Sequence, residues 1–181
     1  MAKLHQGDTM PNFTFDTPFE TGRTLDGTVK RCQGKTALLF LRYYGCTLCQ
    51  YDIHQFAQGH AAIAATGGQM LVVLQSKPAL IAGQVKQGEL PFDIVCDPEQ
   101  ALYHQFDIAP AKNQLGLVDP KAVAKLAKAK AEGFQHGESE GEELQLPATF
   151  ILDGARQVGY AHYGASAGDI PTPAELAGLL R

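Results

Sequence analysis

A chain of 181 residues, 45% of them hydrophobic, is long enough to bury a sizeable core, and none of its apolar runs reaches the length of a membrane-spanning helix. With 15 basic against 19 acidic residues the formal net charge is −4, and no Lys/Arg-rich patch interleaved with aromatics occurs, which argues against a nucleic-acid partner. Four cysteines are too few for a disulfide scaffold and no stretch has the composition of a disordered linker, so residues 1–181 are expected to form a single domain.

In chain order, Asn12 to Asp16 alternates like an exposed strand, and Arg23-Thr24-Leu25 is a second short strand of a Gly- and Thr-rich hairpin. Ala37-Leu38-Leu39-Phe40-Leu41 is continuously apolar, as in a strand buried on both faces. A long helix is expected from Leu48, with Cys49, Ile53, Phe56, Ala57, His60 and Ala64 on one apolar stripe. Met70 to Leu74 is a second buried strand, Ala79 to Lys86 a helix, and Phe92 to Cys96 a third strand ending in Asp97-Pro98. Glu99 to Phe106 continues as helix. Asp119-Pro120 is an N-cap with the favoured first helical residue, and Gly133 stops the helix that follows. Its Lys121, Lys125, Lys128 and Lys130 form a solvated face. Glu138 to Glu143 is an acidic, Gly-containing loop to which no chemistry attaches. Thr149 to Leu152 and Val158 to His162 flank Asp153-Gly154-Ala155-Arg156 as a hairpin, and Pro173 to Leu180 is a closing helix. Strands alternating with helices, then a hairpin, predict an α/β fold: a central mixed sheet with helices on both faces and an N-terminal hairpin extension.

Tyr43-Tyr44-Gly45-Cys46-Thr47-Leu48-Cys49 lies where the first buried strand ends and the long helix begins. In a helix's first turn, unpaired N–H groups and the positive end of the dipole favour an anion. A thiol there has its pKa lowered from about 8.5 into the range of roughly 3.5 to 7.5. The stripe turns Cys49 toward the sheet, which leaves Cys46 as the more exposed, lower-pKa attacking sulfur and Cys49 as the partner that closes the disulfide within one helical turn. A CxxC is also half of a zinc knuckle, but a tetrahedral site needs two more thiolates or imidazoles. Cys32 and Cys96 are single and distant in sequence, and His54 and His60, six apart, do not share a helix face, so neither a metal nor any other cofactor is expected. Met1 to Gly7 contains no apolar leader segment, which points to the reducing cytoplasm, where structural disulfides are rare.

Arg42, Tyr43, Tyr44 and the Thr47 hydroxyl are candidates for holding substrate and stabilising a leaving oxygen, although both tyrosines also suit packing roles. His54 is too far along the helix to serve Cys46, since eight helical residues span about 12 Å. His60 on the stripe suits a core histidine and His162 a hairpin surface. Cys32 and Cys96 suit structural roles, with Cys96, at a strand's end, the one able to approach the site.

These residues carry a resemblance over nearly the whole length. Gly7 to Phe13, Phe40 to Asp52, Asp97-Pro98 and Leu146-Pro147-Ala148-Thr149-Phe150-Ile151-Leu152-Asp153 resemble the opening, active-site junction, mid-chain turn and last core strand of the alkyl hydroperoxide reductase and thiol-specific antioxidant family, the peroxiredoxin-like branch of the thioredoxin fold. The resemblance implies a thioredoxin-like fold, a cis-proline at Pro147 beside the cysteines, a peroxide or disulfide substrate, and a thiol reductant such as a thioredoxin-type protein, with a homodimer as the oligomer to test. It also implies departures. Aligned with Pro-x-x-x-Thr-x-x-Cys, Cys49 takes the peroxidatic position and Asp52 the acidic one three residues later, Cys46 replaces the threonine, and Arg42 replaces the proline. The family's supporting arginine near the last core strand has no counterpart, because Pro147 stands there. Alignment thus favours Cys49 as the attacking sulfur and the helical face favours Cys46, which is preferred because an attacking thiolate must be reachable. The expected function is a peroxiredoxin-like thiol peroxidase cycling a CxxC between dithiol and disulfide. The rivals are a thioredoxin-like disulfide reductase and a non-enzymatic redox-sensing or binding module.

Overall fold

The computed structural model describes residues 2–181. β1 (Thr14–Phe15) and β2 (Arg23–Thr24) form an antiparallel hairpin. Leu25 does not extend β2: the Thr24 side chain accepts from the Gly27 N–H and starts α1 (Leu25–Lys30), a helix the periodicity is too short to reveal. The central sheet has five strands in the order β5-β4-β3-β6-β7. β3 (Thr36–Phe40), β4 (Gln69–Leu74) and β5 (Asp93–Cys96) run parallel, and β6 (Ala148–Leu152) and β7 (Val158–Tyr163) are added antiparallel.

The continuous apolar runs are explained by two cores, one on each face. Ala37, Leu39, Met70, Val72 and Ile94 face one side, where they meet α2 (Thr47–Gln58), α3 (His60–Ala64) and α8 (Pro173–Leu179). Leu38, Phe40, Leu71, Val73 and Val95 face the other, against Leu25 and Val29 of α1 and Leu102 and Tyr103 of α5 (Ala101–Gln105). Phe40 stands edge-on to Tyr103, Phe106 and Phe150 there. The mixed sheet covered on both faces and the N-terminal hairpin are as the sequence predicts.

Several boundaries differ. The expected stripe assumes one helix through Ala64, but Gly59 caps α2 and a new helix starts at His60. The break changes the phase, so Ile63 is buried and Ala64 exposed. α4 (Pro78–Ala82) ends at Ala82 with Gly83 as its C-cap, four residues before the expected end at Lys86. Gln100 adopts the left-handed conformation, φ 57°, and delays α5 to Ala101. α6 (Gln114–Leu117), capped by Asn113, precedes α7 (Pro120–Ala131), which the Asp119 side chain caps by accepting from the Ala122 N–H. Lys125 of α7 is not on a solvated face: it is half-buried and paired with Asp52 at 2.7 Å.

Candidate active site

The connection from β3 to α2 carries the cysteines. Beyond Phe40 the strand continues its pairing, with the Leu41 N–H donating to Val73 O and the Gln75 N–H to Arg42 O, so residues 41 and 42 are held at the carboxyl end of the parallel strands. The Cys46 N–H closes a turn on Tyr43 O, and Cys46, in extended conformation, is the N-cap of α2, its sulfur accepting from the Cys49 N–H at 3.3 Å. Arg42 Nη2 donates to the same sulfur at 3.0 Å. All four cysteines are free thiols.

Electrostatics separate the pair. The Cys46 thiol is lowered to about 6, first because the adjacent Cys49 thiol acts as a donor toward it and then through the charge and hydrogen bond of Arg42, which together outweigh burial. Burial, reinforced by the Cys46 sulfur, pushes Cys49 well above the ordinary thiol range. At neutral pH the arrangement is a thiolate at Cys46 and a thiol at Cys49. Arg42 stays charged, since although burial works against it, the two sulfurs hold its proton.

Exposure is the reverse of the sequence expectation. Cys46 is 0% exposed and Cys49 5%. The cause is the acidic loop Glu138 to Glu143, which the sequence leaves without chemistry, together with residues 134–137 just before it; the two form a strap over residues 43–46. The Gly137 N–H donates to Gly45 O at 2.8 Å, Gln50 Nε2 to Gln135 O, and Arg42 Nη1 to Glu143 O at 2.6 Å. Tyr43, fully buried, shares a 2.9 Å hydrogen bond with His136 Nε2. A Cβ on Gly45 would lie 2.2 Å from Glu138 O, so only glycine lets the strap approach this closely. That glycine was the one local signal of the strap.

Of the other expected site residues, Thr47 occupies the first turn of α2 and lines, with Arg42, Tyr43 and Leu48, a groove of about 390 Å³ whose far wall is Leu117, Val118 and Val123. Tyr44 is half-buried against the core and its N–H donates to Ser76 Oγ. Asp52 is buried, 4% exposed, and paired with Lys125. Pro147 lines a small cavity behind Cys49 together with Asp52. Its peptide bond is trans, not cis as the resemblance implies. Gln145 bridges to Pro110 and Pro147 O accepts from the Gly164 N–H, so the backbone runs extended into β6 without a reversal.

The remaining candidates lie apart from this chemistry. Cys96, its thiol pushed up to about 12 by burial and the nearby Asp16 and Glu140, holds no thiolate at neutral pH. Cys32 faces Gly67 O at 3.3 Å. The His54 ring packs beside Phe134 and that of half-buried His60 beside Phe92, whereas His162 contacts Asp169 Oδ2 at 3.0 Å. Among the described residues no three potential ligands gather as a metal site, and no helix is long and apolar enough to cross a membrane.

The fold is shared by solved structures of low sequence identity. The chain is similar to the peroxidoxin BcpB of Mycobacterium tuberculosis, with TM-score 0.66, 14% identity, and 97% of this chain and 93% of that one covered. It is similar to a peroxiredoxin-like protein of Aquifex aeolicus, with TM-score 0.65, 11% identity, and coverage of 98% and 86%. A proposed thiol:disulfide interchange protein, DsbE, of Chlorobium tepidum gives TM-score 0.57 at 16% identity, with 90% and 87% covered. No curated protein matches the chain in sequence. Residues 6–161 match the AhpC/TSA family, which takes in both cysteines, the strap and the last core strands. The chain therefore belongs to the AhpC/TSA family and is a peroxiredoxin-like, thiol-dependent oxidoreductase.

Proposed function

We propose that Cys46 is the attacking sulfur of a thiol peroxidase and Cys49 the sulfur that resolves it. The observation that carries this reading is the set of donors converging on Cys46 Sγ: Arg42 Nη2 at 3.0 Å and the Cys49 N–H at 3.3 Å. The thiolate attacks the terminal oxygen of a peroxide and the O–O bond breaks. Cys46 becomes a sulfenic acid and the departing oxygen leaves as an alcohol or water after protonation. Arg42, already beside the sulfur, supplies positive charge to the oxygen on which charge develops. Cys49 then displaces the sulfenic oxygen as water and forms the disulfide.

Peroxiredoxins act on peroxides with thiol reductants and often form dimers. For this chain the reading assigns a peroxide as oxidant and a protein dithiol of thioredoxin type as reductant, with substrate entering along the groove beside Thr47 and Leu48. A cytoplasmic location belongs to the same reading, because a reducing compartment maintains the dithiol. A disulfide reductase uses the same pair of sulfurs, and the likeness in fold to DsbE keeps that alternative in view.

Stopped-flow oxidation separates them. Reduced wild-type protein is expected to consume hydrogen peroxide or an organic peroxide much faster than a small disulfide. The Cys49→Ser variant should consume one equivalent and stop, and Cys46→Ser none. Reaction only at Cys49 in Cys46→Ser would hand the attacking role to the residue the family alignment favours.

A further inference from the structure

The closing step of this cycle needs a base. Cys49 attacks Cys46–SOH only as it loses its proton, yet its thiol lies buried against a neighbouring sulfur that opposes ionisation. Cys46 has Arg42 and a backbone N–H to hold its anion; a second acceptor must serve Cys49.

The cavity behind Cys49 contains one. Its volume is about 10 Å³, room for about one water molecule. Cys49 and Asp52 both line it, with Arg42 and Gln145 as the other polar residues of a wall otherwise made by Pro147 and the apolar Leu41, Leu48 and Ala167. Asp52 follows Cys49 by three residues on α2, so the two side chains are neighbours on one helical face, with Cβ atoms about 5–6 Å apart. Asp52 Oδ1 accepts from Lys125 Nζ at 2.7 Å, and Oδ2 has no hydrogen-bond partner among the described residues. Lys121 and Lys125 face the carboxylate from α7, Arg42 stands across the cavity, and Glu175 of α8 lies near both lysines. A carboxylate this deep without a cation would take up a proton. The Lys125 ion pair opposes that, leaving a base whose affinity for a proton is raised by burial yet which still ionises.

We propose that Asp52 is the proton acceptor for Cys49, reached through a single water in this cavity, and that Lys125 is the positioning residue that keeps it a carboxylate. The inference rests on the peroxidase cycle proposed above. As the Cys49–Cys46 S–S bond forms, the S–O bond of the sulfenic acid breaks and the Cys49 proton passes to Asp52. The departing hydroxide takes a proton from solvent and Asp52 later returns its own, so the net products are one disulfide and one water. In reduction the path reverses. A reductant thiolate attacks Cys46, Cys49 leaves as thiolate, and its proton is drawn from solvent by way of Asp52 and the same water.

The test follows the two steps separately on the full chain between pH 5 and 9 with hydrogen peroxide, trapping sulfenic acid with dimedone and counting disulfide by quenched-flow mass spectrometry. In Asp52→Asn, closure is expected to slow about 100-fold and to rise steadily with pH, while sulfenic acid forms within about threefold of the wild-type rate. Asp52→Glu should recover part of the loss. Lys125→Met should move the pH midpoint of closure upward, since a carboxylate without its cation ionises later. Closure at wild-type rate with the wild-type pH profile in Asp52→Asn overturns the proposal, as does equal slowing of both steps. If Asp52→Asn does not fold, an unmoved midpoint in Lys125→Met overturns it alone. If wild-type protein forms no sulfenic acid at Cys46, the cycle itself fails, visibly and before any variant is compared, and the proposal falls with it.

Discussion

Two walls meet at Cys46 and they are built on opposite physics. The floor is β3, β6 and α2, with Leu39 and Phe56 in the core that holds the cysteines and Phe40 and Phe150 backing the sheet from its other face, all 0–1% exposed. The roof is residues 134–145, mostly exposed and tied down by hydrogen bonds donated by Arg42 and Gln50, one accepted by Gln75 Oε1 from the Glu142 N–H, and one shared between Tyr43 and His136. Apolar burial fixes a sulfur's position because every displaced contact is lost to water. Polar ties exchange readily with water and each contributes little net stability. The difference teaches how a site can be both precise and closed at rest: the floor sets where the thiolate sits, and the roof decides when anything reaches it.

The largest effect should come from breaking the floor. Phe40→Ala removes a ring packed edge-on to Tyr103, Phe106 and Phe150 and is expected to destabilise the protein by about 3–5 kcal/mol. Calorimetry should show Tm falling by about 10 °C. A drop no larger than that of a strap variant would erase the contrast.

Next comes the residue that belongs to both walls. Arg42 bonds the Cys46 sulfur below and Glu143 O above. In wild-type protein, iodoacetamide labelling of Cys46 should rise through a midpoint of about 6 and be flat above pH 7, and should precede labelling of Cys49. With a lowered thiol pKa the thiolate is lost as pH falls. Arg42→Met should shift the midpoint part of the way toward the ordinary value of about 8.5, so labelling at pH 7 slows severalfold, short of the roughly 30-fold that a full return would give, because the Cys49 donor remains. An unchanged midpoint means that Cys49 and the helix N-terminus suffice without the guanidinium.

Gly45→Ala sharpens the comparison from the roof. Its Cβ meets Glu138 O and must lift the strap. Labelling of Cys46 at neutral pH should accelerate severalfold, while amides of β3 keep their hydrogen-exchange protection. Loss of β3 protection would show that roof and floor are one cooperative unit. The smallest effect on stability is expected from His136→Ala, about 1 kcal/mol by denaturant melt, because it removes one polar tie to the buried Tyr43 hydroxyl, which still has Glu143 Oε1 in reach.

What was legible in the sequence follows the same division. Ala37 to Leu41 and Cys46-Thr47-Leu48-Cys49 announce themselves because strand burial and helix capping are written in adjacent residues. The order of the two thiol pKa values follows from that local geometry too. Their exposure does not, because the cover of Cys46 arrives from ninety residues away through backbone groups that any residue carries. Lys125 reads as solvent-facing on its own helix, and only the packing of α7 on α2 sets it against Asp52. Gly59 illustrates a third kind of miss, where one residue resets the helical phase and exchanges Ala64 for Ile63 in the core.

The strand order carries a consequence for synthesis. β3 is the central strand, yet its two neighbours come from very different times: Thr36 pairs with Gln69 on one side and with Leu152 on the other. As the chain leaves the ribosome, Ala37 to Phe40 pairs early with β4 and keeps its other edge bare, with unpaired N–H and C=O groups beside apolar side chains, until the last strands have emerged. The thiolate site is therefore assembled late in the protein's life history. A nascent chain halted before residue 147 carries both cysteines but neither Pro147 nor β6 behind them, and an open edge ready to pair with the wrong strand.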